Sequence, residues 1–150
     1  MRSLHRFLSL VALALLGACA LRARAANLDM PTISPEELVK ALKAPKGAKP
    51  LLFQVGSHML YLQAHIPGSE YLGAGSTEEG IRNLRQRANR LPKNAAMLYC
   101  GCCPWSHCPN LNPAYDALRQ MGFTNVKVLY LPNNFGADWV DKGYPVAKGE

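Results

Sequence analysis

The stretch Ala95–Asn112, AAMLYCGCCPWSHCPNLN, places a short apolar run directly before a loop that is rich in cysteine. The run Ala95–Tyr99 has the length and composition of a buried strand. It brings Cys100 to the carboxyl end of that strand, where open α/β sheets bind ligands and carry out chemistry. The stretch therefore predicts a nucleophilic cysteine at the end of a central parallel strand.

Strand and helix patterns alternate through the rest of the chain. Besides Ala95–Tyr99, strands are predicted at Leu51–Val55, Glu70–Leu72 and Val126–Leu131. Helices are predicted over residues 35–44, within 56–64, and at Thr77–Leu91, Pro113–Met121 and Ala137–Lys142. Ser34 and Glu37 form a capping box at the start of the first helix. This order predicts a single α/β domain with a central parallel β-sheet of four strands, flanked by helices.

The amino-terminal 25 residues have the pattern of a secretory signal. A basic start precedes the apolar stretch Phe7–Ala18, and Ala23-Arg24-Ala25 resembles a cleavage site. The segment Leu16-Gly17-Ala18-Cys19 also resembles a lipobox, so Cys19 is a lipidation candidate and a membrane tether is the alternative to free secretion. An uncleaved membrane anchor is the other alternative. We expect an extracytoplasmic, periplasmic protein.

The net charge does not indicate a nucleic-acid partner. The whole chain carries +7, but residues 1 to 25 hold four arginines and no acidic residue, so their removal leaves +3. No basic run interleaved with aromatic residues remains, and nucleic-acid binding is not expected.

The remaining cysteines, Cys100, Cys102, Cys103 and Cys108, lie within one short loop. A disulfide between residues so close in sequence removes little entropy from the unfolded chain and adds little stability. The four thiols are therefore predicted to serve sulfur chemistry. Asn110 and Asn112 are candidate caps for the helix that follows.

Several passages in this order resemble the rhodanese-like domain family, over residues 33–147. They are Ile33–Leu38, Leu51–Gly56, the turn Ala64–Ser69, the strand end Leu98–Cys100, Met121–Phe123, Gly136–Trp139 and Gly143–Pro145. The resemblance implies a sulfurtransferase in which Cys100 takes sulfane sulfur from a small donor and holds it as a persulfide. A thiol, cyanide or a protein then accepts the sulfur. No organic cofactor is implied, and a monomer is expected.

The chain departs from the family pattern around this cysteine. Gln54-Val55-Gly56 stands where the family commonly has Asp-Val-Arg, and the active loop is longer and lacks arginine. His107 is the only cation candidate in the loop, which makes thiosulfate a doubtful donor. Gly101, Trp105 and His107 are the candidate substrate-binding residues, and amides of the loop are expected to stabilise the charge on sulfur.

Three further functions remain open for the same loop. A thiol-disulfide redox module would cycle Cys100 or Cys102 through a disulfide with Cys103 or Cys108. A Cu(I) or Zn site would use three or four of the thiolates together with His107, and the candidate ligands are Cys102, Cys103, Cys108 and His107. A Cys103–Cys108 staple in a partner-binding domain is the least specific alternative. For sulfur transfer, Cys102, Cys103 and Cys108 are accessory thiols that resolve the persulfide or pass its sulfur on.

Overall fold

The computed structural model describes residues 29–45, 49–93 and 95–150. The predicted signal segment and Cys19 lie outside these residues. The strands are β1 (Thr32–Ile33), β2 (Leu51–Gln54), β3 (Glu70–Tyr71), β4 (Ala96–Tyr99) and β5 (Val126–Leu129). The α-helices are α1 (Pro35–Leu42), α2 (His58–Gln63), α3 (Glu78–Asn89) and α4 (Leu111–Gln120). A 3₁₀ helix spans Trp105–His107, and a π-helix spans Gly136–Val140.

The five strands form one parallel sheet in the order β1-β5-β4-β2-β3. Every residue of β4 is buried, as expected for a strand covered on both faces. One face packs on α3 and α4 through residues such as Leu84 and Leu118, and the other packs on α1 and the π-helix through Leu38 and Trp139. The prediction of a single α/β domain with a parallel sheet between helices is confirmed.

The predicted number of four strands is wrong, because β1 is a fifth. It has only two residues, Thr32 and Ile33, which pair with Val128 and Leu129 of β5. So short a strand carries no periodicity that sequence alone reveals. It is held by a partner almost a hundred residues away.

The other predicted elements are present, with ends that differ by one or two residues. The capping box is confirmed: the Ser34 hydroxyl accepts from the Glu37 N–H, and the Glu37 carboxylate accepts from the Ser34 N–H. Helix α4 begins at Leu111 rather than Pro113, since the first turn of a helix tolerates proline. Within the described residues no helix has the length and hydrophobicity needed to cross a lipid bilayer.

Leu98→Ala tests the central position of β4. Leu98 lies on the strand between β2 and β5, and its side chain is fully buried in the core with Leu84 and Leu118. Its truncation is expected to reduce the free energy of unfolding by about 2–5 kcal/mol. Urea denaturation measures the change. Val146→Ala, at a side chain that is 39% exposed, is the control and should change stability by less than about 0.5 kcal/mol. Equal effects of the two variants would contradict the assigned packing.

Candidate active site

Cys100 lies at the point of the sheet where the direction of strand addition reverses. From β2 the chain adds β3 toward one edge, and from β4 it adds β5 toward the other. The carboxyl ends of β2 and β4 are neighbours there, with Gln54 paired to Tyr99. Open α/β sheets form their ligand crevices at such reversals. The predicted position of Cys100 at the end of a central strand is confirmed.

Gln54, the last residue of β2, supports the backbone of Cys100. Its buried side-chain amide donates through Nε2 to the Cys100 carbonyl oxygen at 2.9 Å. Its Oε1 accepts from the Gly56 N–H at 3.2 Å, which fixes the orientation of the amide group. The carbonyl before the loop is therefore satisfied without the strand ladder.

Gly56 leaves the space that the Cys100 thiol occupies. A Cβ atom at position 56 would lie 2.7 Å from Cys100 Sγ and 2.6 Å from the Cys100 carbonyl oxygen. Both distances are below any ordinary van der Waals contact. Any larger residue here would therefore displace the thiol or the strand end.

The sulfur of Cys100 receives several hydrogen bonds from neutral donors. The Cys108 thiol is the strongest influence, followed by the Cys102 backbone N–H, the Asn110 side-chain amide and the Cys102 thiol. The last two lie 3.3 Å from Cys100 Sγ. Together they outweigh the opposing effect of burial and lower the pKa of Cys100 to about 5. Cys100 is therefore ionised at neutral pH.

The Cys102 and Cys108 thiols stay protonated because they donate to this thiolate. Partial desolvation and the hydrogen bonds with Cys100 and Cys103 raise the pKa of Cys102 to about 12. The hydrogen bond to Cys100, together with burial, raises the pKa of Cys108. Among these three thiols the negative charge thus lies on Cys100, the residue at the strand end.

Asn110 contacts the thiolate instead of capping the next helix. It occupies the N-cap position of α4, but its side chain makes no capping hydrogen bond, so the predicted capping role is wrong. Its Oδ1 accepts from the Ser76 N–H at 3.0 Å, and this directs Nδ2 toward Cys100 Sγ. Asn112, the other predicted cap, lies inside α4.

The loop after Cys100 is anchored at two points to the segment after β5. The Phe135 N–H donates to the Gly101 carbonyl at 3.1 Å, and the Trp105 N–H donates to the Leu131 carbonyl at 3.0 Å. Gly101 has φ +95°, a conformation that favours glycine. The half-buried ring of Trp105 packs against the core beside Tyr130. These contacts hold the loop over the strand end.

The loop brings together all four predicted thiols but not His107. The sulfur atoms of Cys100, Cys102, Cys103 and Cys108 lie within 4.8 Å of one another. His107 is exposed, outside this group, and its Nδ1 lies 2.9 Å from the Ser106 hydroxyl. Within the described residues, the cluster of possible metal ligands therefore consists of four sulfur atoms. Cys100 belongs to it, and the predicted ligand His107 does not.

The turn before β3 positions the residue that precedes Cys100. The Tyr99 hydroxyl lies 2.8 Å from Ser69 Oγ and accepts from the Ile66 N–H at 3.2 Å. In the same turn His65 is buried and its ring stacks on that of Tyr61. His65 Nδ1 also forms a hydrogen bond with the backbone carbonyl oxygen of Tyr61. The hydrogen bonds from this turn to Tyr99 thus fix the position of the end of β4.

A pocket of about 260 Å³ opens beside the loop. Cys102 and Gly101 line one side, and the apolar side chains of Leu60, Ala64, Phe135 and Val140 line much of the rest. Gln63 and Asn134 supply polar groups. Cys100 is not among its lining residues, so a molecule in this pocket meets Cys102.

Sequence reasoning missed the contributions of Gln54 and Gly56. In the sequence they stand out only as departures from a family pattern, although residues that end adjacent parallel strands meet at one edge of the sheet. That rule identifies Gln54 once β2 is known to neighbour β4. The role of Asn110 depends on the course of the loop, for which the sequence carries no such rule.

The sequence matches no protein-family model and no curated protein. Its fold, however, is similar to several solved structures. A protein from Bacillus halodurans has a TM-score of 0.60 at 21% identity, over 79% of this chain and 77% of that chain. The rhodanese-like domain of an Anabaena protein has a TM-score of 0.55 at 22% identity, over 79% of each.

A thiosulfate sulfurtransferase from Pseudomonas aeruginosa is also similar, with a TM-score of 0.59 at 20% identity. The match covers 81% of this chain but 20% of that one. At these identities the likeness establishes the fold. The chain is a single α/β domain whose fold is similar to that of these rhodanese-like structures, with a cysteine cluster at the carboxyl edge of its sheet.

Cys108→Ala and Cys108→Ser test the origin of the Cys100 thiolate. Alanine removes the leading donor and should raise the pKa of Cys100, whereas the serine hydroxyl still donates and should retain most of the shift. The pH dependence of thiolate absorbance, read with alkylation mapping, measures this. Since Cys100 ionises with a pKa of about 5, the alanine variant should show less Cys100 thiolate at pH 6. Identical titrations of the wild type and both variants would contradict the role of Cys108.

Proposed function

We propose that this protein is a sulfurtransferase that carries sulfane sulfur as a persulfide on Cys100. The main support is the ionised, buried Cys100 sulfur at the end of β4, with hydrogen-bond donors converging on it. A thiolate is the nucleophilic form of cysteine. The rhodanese-like fold is consistent with this chemistry, and one of its structural neighbours is named a thiosulfate sulfurtransferase.

The loading step needs no cofactor. Cys100 Sγ attacks the sulfane sulfur of the donor and forms a new S–S bond. The bond between that sulfur and the rest of the donor breaks, and its electron pair leaves with the donor remainder. The Cys102 N–H and the Asn110 amide contact the thiolate, and in the proposed reaction they would bind the charge of the persulfide.

The same donors bear on the choice of substrate. The hydrogen bonds to Cys100 Sγ come from thiols, an amide and a backbone N–H, and within the described residues none comes from a cationic side chain. A dianion such as thiosulfate gains most from a guanidinium or ammonium partner. We therefore propose donors of smaller charge, organic persulfides and singly charged polysulfides, acting outside the cytoplasm in accordance with the predicted signal segment.

Binding of a thiophilic metal ion is the second candidate function. The observation in its favour is the proximity of the four sulfur atoms, all within 4.8 Å of one another. A tetrahedral zinc site with Zn–S bonds of about 2.3 Å would place its sulfurs about 3.8 Å apart. Small side-chain movements would bring the four thiols to that spacing.

The intact mass of the reduced protein, measured after brief exposure to inorganic polysulfide, tests the primary proposal. The wild type should gain one sulfur atom that cyanide removes, because the Cys100 thiolate is charged and nucleophilic. Cys100→Ser should gain none, and Ser106→Ala, on the same loop, is the control that should load normally.

Loading that persists in Cys100→Ser would refute the proposed carrier. Measurement of copper and zinc in the purified protein before exposure distinguishes the second candidate. Stoichiometric metal combined with no sulfur gain would favour metal binding over sulfur transfer.

A further inference from the structure

The four thiols differ sharply in their access to solvent. Cys100 is only 2% exposed, whereas Cys102 is exposed. Their sulfur atoms nevertheless lie 3.3 Å apart. A molecule too large to enter the strand end can therefore reach Cys102 without reaching Cys100, and sulfur needs to move only across one contact between them.

The pocket beside the loop leads to the same residue. Its walls include Cys102 and four apolar side chains, and none of the described residues that line it is charged. Its volume of about 260 Å³ is slightly below the range of roughly 300–1,000 Å³ that is usual for ligand sites. A small molecule with an apolar body would bury its surface there and place a sulfur atom against Cys102.

We propose that Cys102 is a second catalytic residue, the exchange thiol through which sulfane sulfur passes between Cys100 and a small neutral thiol bound in this pocket. The proposal rests on the proposed function, since it requires a persulfide on Cys100. It assigns storage and exchange to different residues.

The transfer balances without an oxidant or reductant. The Cys100 persulfide anion takes the proton of the Cys102 thiol across their contact. The resulting Cys102 thiolate attacks the outer sulfur, the S–S bond to Cys100 breaks, and its electron pair stays on Cys100 as thiolate. The acceptor thiol loses its proton, and its thiolate attacks the outer sulfur of the Cys102 persulfide. The S–S bond to Cys102 breaks, its electron pair stays on Cys102, which takes up a proton, and the acceptor leaves as an organic persulfide. The reverse sequence loads Cys100 from an organic persulfide.

The pocket walls select the kind of thiol. Moving a carboxylate from water into an apolar pocket without a cation is costly, whereas an uncharged body of the same size gains from burial. The side chains of Gln63 and Asn134 supply hydrogen-bonding groups for an uncharged polar end. The site therefore fits small neutral thiols and their persulfides, and it disfavours thiols that carry a carboxylate.

Cys102→Ser gives the direct test, in a single-turnover experiment. Each protein is first loaded to completion with inorganic polysulfide, freed of excess donor, and mixed with 3-mercaptopropionate methyl ester as acceptor. Loading should still occur on Cys100, because serine keeps a hydroxyl donor beside that sulfur. Transfer to the ester should slow by at least about tenfold, while Ser106→Ala transfers at the wild-type rate.

Mapping of partly discharged wild-type protein gives a second readout. Fragmentation of the alkylated peptide should show persulfide on both Cys100 and Cys102. The assignment to Cys102 would be overturned if Cys102→Ser transferred sulfur at the wild-type rate. It would also be overturned if Cys103→Ser slowed the transfer as much as Cys102→Ser does. Failure of the wild type to load Cys100 at all would instead refute the underlying sulfurtransferase function, so the two failures are distinguishable.

The substrate class is tested with a matched pair of acceptors. The methyl ester and free 3-mercaptopropionate carry the same thiol on the same chain and differ in one charge. The neutral ester should react at least about tenfold faster in kcat/KM, after correction for the thiolate fraction of each. Equal values would overturn the neutral-thiol assignment of the pocket.

Discussion

The arrangement of this site depends on the stabilisation of a buried thiolate by neutral hydrogen-bond donors. A charge removed from water must be met by polar groups, and each unmet group is costly. Cys100 receives its donors from two thiols, one amide and one backbone N–H, all from its own loop or the start of α4. The loop therefore has to turn back over the strand end. The left-handed backbone of Gly101 and the two anchors to the segment after β5 allow that course.

The register of the sheet makes room for this arrangement. Because β2 and β4 are parallel neighbours, Gln54 and Gly56 end beside Cys100. Gln54 satisfies the carbonyl of Cys100, and the absent side chain of Gly56 leaves the space for its sulfur. An arginine in place of Gly56, as in the common family pattern, would collide with the thiol in this geometry. Gln54 and Gly56, the two departures from the pattern, are therefore both compatible with the position of Cys100 in this cysteine-rich loop.

Local sequence patterns were sufficient for the layers of the fold and for the position of Cys100, because amphipathic helices and short apolar strands have clear periodicities. They failed for β1, where two residues depend on pairing with distant β5. They also failed for Asn110, a residue type that commonly caps helices, because its side chain forms hydrogen bonds with Ser76 and Cys100 instead. Both failures have the same cause: a long-range partner outweighs the local preference. The grouping of four thiols followed from their spacing, but the separation of His107 from them required the course of the loop.

The choice of thiols as donors has a consequence that an arginine would not share. A guanidinium stabilises a thiolate strongly, but it is neither a nucleophile nor able to hold sulfur. A thiol stabilises the same charge more weakly, and it can also lose its proton to a persulfide and attack it. Cys102 both contacts the Cys100 sulfur and faces a pocket with uncharged walls. In the proposed exchange, Cys102 thus both stabilises the Cys100 thiolate and passes its sulfur to the acceptor, while Cys100 itself stays shielded from solvent.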